Sequence, residues 1–177
     1  VKPAVERVAG AIDRICDFGA WVAAAACLAL AFMLIAEVAL TSLAGWSQPW
    51  AVEYSAYLCA IALFGGSGFA LRKGAHIRVG VVLGFVPARV RRALDFACTA
   101  AALAVAGILC GALVDLALRS HQLNSVSYYA MQTPLWVPQG LLAASVAILA
   151  LALAARLARL AAGLPPEDRG AAGGVRE

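Results

Sequence analysis

The sequence predicts an all-α integral membrane protein, a single membrane domain over residues 1–177 with four transmembrane helices and both termini on the cytoplasmic side. Three observations lead there. Hydrophobic residues fill 63% of the 177 positions and charged residues only 14%, whereas a soluble domain gives about 25% of its residues to charge. The apolar residues fall into four uncharged runs, 18–36, 54–71, 96–114 and 120–155. Each reaches the ~18 residues that, at ~1.5 Å of rise per residue, carry a helix across ~30 Å of hydrocarbon. Finally, 13 of the 14 Lys and Arg fall on one side of such a bundle, leaving Arg119 alone on the other. That bias in short loops puts the basic side in the cytoplasm.

Taken in order, residues 1–17 carry Val5, Val8, Ile12 and Ile15 at spacings of three and four among Lys2, Glu6, Arg7, Asp13, Arg14 and Asp17. The pattern predicts an amphipathic helix lying on the membrane before the chain turns inward, with a solvated tail as the alternative. The charges and the long apolar run behind them argue against a secretory signal peptide. Spans are expected at approximately 18–44, 53–71, 94–118 and 134–156. Between the second and third, Arg72, Lys73, Arg78, Arg89, Arg91 and Arg92 flank an apolar stretch at 77–86, too short to cross. It is expected to lie in the cytoplasmic interface and contact membrane lipids. The Ser-, Asn- and Gln-rich residues 120–133 form a loop. Thr133 then caps the fourth helix with Pro134 at its first position, and Pro138 either kinks that helix or makes it begin later. Residues 160–177 are a cytoplasmic tail.

Trp46, Trp50, Tyr54, Tyr57, Tyr128, Tyr129 and Trp136 cluster at the outer boundary, as an aromatic belt should. The net charge of +4 is the topology signal itself and calls for no nucleic acid. Cys16, Cys27, Cys59, Cys98 and Cys110 are scattered singly, and His76 and His121 lie outside the spans on opposite sides. Neither pattern offers a haem, zinc or iron–sulfur cofactor, and no convergent set of titratable groups points to an enzyme.

Glu37 is the acidic residue placed well inside a span, ~14 Å along the helix from Trp46. It is either a proton- or ion-coupling carboxylate or a structural one, hydrogen-bonded to a neighbouring helix or subunit. Glu53 follows Pro49 near the start of the second span, where the helix dipole favours an anion. Asp115 and Arg119 are spaced for a local ion pair. Small residues that permit close helix contact recur at Gly65 and Gly66 between Ala62 and Ala70, and at Gly107 and Gly111.

Several of these residues together resemble a known family. Trp50 and Glu53 open the second span. The run Phe64-Gly65-Gly66-Ser67-Gly68-Phe69-Ala70 follows, then Arg72, the pair His76-Ile77, Val79 and Pro87, with Ser125, Pro134 and Trp136 at the entry to the fourth span. Over roughly residues 15–160 this is similar to the small, four-span, DctQ-like permease subunit of tripartite ATP-independent periplasmic (TRAP) transporters. The chain departs from the family pattern in having Glu53-Tyr54 in place of an acidic pair, Gly80 after His-Ile-x-Val, and no Arg after Glu37.

The resemblance implies a non-enzymatic scaffold in the bacterial inner membrane. Its partners would be a large polytopic permease subunit and a periplasmic substrate-binding protein, in an ion-gradient-driven symport that takes up organic acids. Glu37, Trp50, Glu53, Gly65, Gly66, Arg72, His76, Gly107 and Gly111 are the candidates for subunit contact or structural roles. The competing expectation is an autonomous four-span proton-coupled exporter using Glu37.

Overall fold

A computed structural model describes residues 2–74, 87–129 and 131–164. Their architecture is all-helical, with four helices long and apolar enough to cross a membrane. The first, α1, runs from Lys2–Ala44 as one helix of 43 residues, ~64 Å long. The expected turn between a surface segment and the span is absent, because no proline interrupts the helix after Pro3 and the sequence is Ala-rich throughout. Its buried positions, Ala9, Cys16, Gly19, Ala23 and Ala26, form one seam at heptad-like spacing. Val8 and Ile15, from the apolar pattern expected to face the bilayer surface, are exposed. Gly45 ends the helix with φ +65°, its amide bonded to Thr41 O at 3.1 Å, a left-handed position that suits glycine.

The second crossing is two helices, α2 (Ala51–Gly65) and α3 (Ser67–Arg72), separated at Gly66. Two adjacent glycines weaken the helix there, and the Ser67 hydroxyl bonds Phe64 O at 2.6 Å. The glycines also allow close approach to α1. A Cβ on Gly19 would sit 2.7 Å from Gly65 O, and one on Gly68 would sit 3.1 Å from Cys16 Sγ. The apolar segment at 77–86 and His76 lie outside the described residues.

The third crossing, α4 (Ala88–Gln122), is 35 residues long and starts earlier and ends later than expected. Asn124, at φ +48°, turns the chain out of it. The loop that follows is held by its own backbone: Ser127 N bonds Thr133 O at 2.9 Å, and Leu135 N bonds Ser125 O at 3.0 Å. Thr133 does not cap the next helix, whose N-cap position is Leu135. That helix, α5 (Trp136–Ala161), begins two residues beyond Pro134 with no side-chain cap. Pro138 is its third residue, in the first turn, where its missing amide costs no helical hydrogen bond.

Helix α5 is the hub, touching α1, α2, α3 and α4, whereas α4 packs chiefly on α5. Cys16, Leu71, Ala106, Ala152 and Leu153 form a buried core, flanked by Ile12, Leu103, Ile148 and Leu149. Mostly small side chains lie inside. Large ones face out, with Trp21, Phe32 and Ile108 each more than two-thirds exposed. Such a surface suits lipid or another membrane protein, since helices in a bilayer associate by close packing rather than by hiding apolar groups from water.

Candidate functional site

Two polar clusters occupy opposite ends of the bundle. At the basic end, α1 presents Asp13 and Asp17 one turn apart, and Arg72 ends α3 opposite them. Arg72 Nη1 donates to Asp13 O at 2.8 Å and to Asp17 Oδ2 at 3.3 Å, and Nη2 donates to Asp17 Oδ1. Asp13 Oδ2 also accepts from Arg159 Nη2 of α5 at 2.6 Å. One aspartate thus links three helices. The Arg72 side chain is only 9% exposed, and its guanidinium lies 5.4 Å from the Phe69 ring centre. Arg156, one turn before Arg159, is also buried.

The sequence singles out Arg72 but not these partners. Asp13 and Asp17 read there as the polar face of a surface helix, and Arg156 and Arg159 as topology markers. A signal was present, because Asp13, Cys16 and Asp17 share the spacing of a single helix face.

At the aromatic end, Glu53 sits in the first turn of α2 and is 1% exposed. The chain itself covers it. Oε1 accepts from the Tyr57 hydroxyl at 2.9 Å. The hydroxyls of Ser127 and Thr133, from the loop before α5, also face this carboxylate, yet Oε2 has no hydrogen bond of normal geometry. Trp50 stacks edge-on to Tyr54 and Tyr54 to Tyr57, with ring centres 6.2 and 6.1 Å apart.

Glu37 does not reach another crossing helix. Its carboxylate turns back onto the loop after α1, where Oε1 accepts from Ser47 Oγ at 2.9 Å, Gln48 N at 3.0 Å and Thr41 Oγ1 at 3.4 Å. Gln48 passes this on, its Oε1 accepting from Trp50 Nε1 at 3.1 Å. Asp115 and Arg119 pair at 2.9 Å, both well exposed.

The glycines divide. Gly65 and Gly66 lie against Ala23, where an added Cβ would meet the Ala23 Cβ at 3.4 and 3.5 Å. Gly107 and Gly111 have nothing within 4 Å of such an atom, so the close contact expected of them is not made among the described residues. Beside them α4 and α5 border an apolar groove of about 440 Å³, lined by residues such as Val114, Trp136, Gly140, Ala143 and Ala147. A smaller cavity of about 210 Å³ lies between α2 and α5, against Tyr57, Ile61, Pro138 and Gln139. The five cysteines are unpaired thiols, and the described residues hold no group of three or more His, Cys, Asp or Glu placed for a metal ion.

Residues 30–163 match a family model described as tripartite ATP-independent periplasmic transporters, DctQ component. No curated protein and no solved structure matches the chain.

Proposed function

The chain belongs to the DctQ component family of tripartite ATP-independent periplasmic transporters, and from that premise we propose that it is a scaffold for the large permease subunit in an ion-gradient-driven uptake system for organic acids. A periplasmic binding protein delivers substrate to that system. The chain lies in the bacterial inner membrane with both termini cytoplasmic. The observation that carries this reading is the open side of α4, where Gly107 and Gly111 offer a backbone that nothing among the described residues approaches. Small residues of this kind let a partner helix approach the backbone closely. The matched family is one of transporter components rather than enzymes.

The autonomous exporter has no such support. Glu37, the carboxylate it requires, is tied to Ser47 and the Gln48 amide at the end of its own helix. The test is co-purification with the large permease. Gly107→Leu should leave the isolated chain folded but weaken recovery of the complex, with uptake falling in parallel. Full assembly with Gly107→Leu would remove α4 from the interface. Ion-coupled transport by the chain alone, lost in Glu37→Gln, would reinstate the exporter.

A further inference from the structure

We propose that Glu53 and the hydroxyls around it hold one alkali-metal cation, which fastens the loop of residues 123–135 onto α2. A buried carboxylate must either lose its charge or find a compensating one. Glu53 is 1% exposed, and its Oε2 is buried with no hydrogen-bond partner. None of the ion pairs among the described residues includes it. Its polar partners are hydroxyls: Tyr57, which donates to Oε1 at 2.9 Å, and Ser127 and Thr133, which also hydrogen-bond to the carboxylate group. One more acceptor without a donor, Gln139 Oε1, is buried on the wall of the cavity that Tyr57 also lines.

Three considerations select the occupant. Carboxylate and hydroxyl oxygens are hard ligands, suited to alkali and alkaline-earth ions rather than to zinc or copper. A single carboxylate supplies one negative charge, which matches a monovalent ion. A proton is the remaining alternative, but Glu53 lies in the first turn of α2, where the backbone dipole favours the ionised form. Hydroxyls can turn their lone pairs to a cation as readily as their hydrogens to the carboxylate. The ion would strengthen the link between α2 and a loop whose backbone is bonded to itself.

The test uses the full chain in lipid nanodiscs, with unfolding temperature measured in sodium, potassium, lithium and choline chloride at one ionic strength. The unfolding temperature should rise and saturate with at least one alkali ion relative to choline. Glu53→Gln should abolish that rise while matching or exceeding the parent in choline, since it removes a buried charge but retains an acceptor for Tyr57. Tyr57→Phe and Thr133→Val should each raise the half-saturating ion concentration by about tenfold, and they carry the test if Glu53→Gln does not fold. Equal stability in all four salts, or an ion response that survives Glu53→Gln, overturns the proposal. So does stabilisation by acid with no preference among the salts, which would assign a proton to Oε2.

Discussion

Arg72 shows how much a single side chain can hold in this bundle. Its guanidinium binds the backbone of Asp13 and the carboxylate of Asp17, while Asp13 reaches on to Arg159. Removing the Arg72 side chain takes the guanidinium from the half-exposed Asp17 and the donor from Asp13 O, while Asp13 keeps Arg159, so Arg72→Ala should cost about 1–3 kcal/mol of stability. Arg72→Lys should recover part of that, because an ammonium keeps the charge but cannot present two donors in a fixed fork. Chemical unfolding in detergent checks both, and equal stability of the two variants would deny the fork its role. The partners of Arg72 were hard to see because 55 and 59 positions separate them from it along the chain. A lone sequence shows local spacing, and ion pairs across helices leave no periodic trace. Glu37 and Glu53 show the same limit: the sequence places them along their helices but does not reveal their hydrogen-bond partners.

At the level of elements, the glycines on α1 and α4 make opposite demands. A Cβ at position 19 would stand 2.7 Å from Gly65 O, a backbone atom that can move only with its helix, whereas one at position 107 meets nothing. Gly19→Ala should therefore destabilise the isolated chain by about 1–3 kcal/mol, while Gly107→Ala should cost it nothing. Thermal unfolding of the two variants side by side checks the contrast, and similar losses for both would mean that α4 is buried by something within the chain. The existence of four crossing helices was legible because long uncharged runs admit no other fold in a bilayer. Their ends were less so. Ala-rich sequence carries α1 straight through a segment whose apolar spacing suggested a separate surface helix. Paired glycines divide α2 from α3, and the loop claims Thr133, so that α5 begins at Trp136.

For the whole molecule, the sequence assigns thirteen of its fourteen basic residues to segments expected on one side, and this carries the proposed orientation. Reporter fusions after residues 50 and 125 should read as periplasmic, and fusions after residues 90 and 165 as cytoplasmic. An inverted pattern would reverse the orientation, and an odd number of crossings would break the four-helix plan. The arrangement of contacts has a further consequence for biogenesis. The helix that touches every other one is the last of them to leave the ribosome, and α4, inserted just before it, has little else among the described residues to pack against. The first hairpin, α1 with α2 and α3, can pack on its own glycines and on Arg72, whereas α4 must wait in the bilayer until α5 arrives. Quality-control proteases have that interval in which to recognise an unfinished chain.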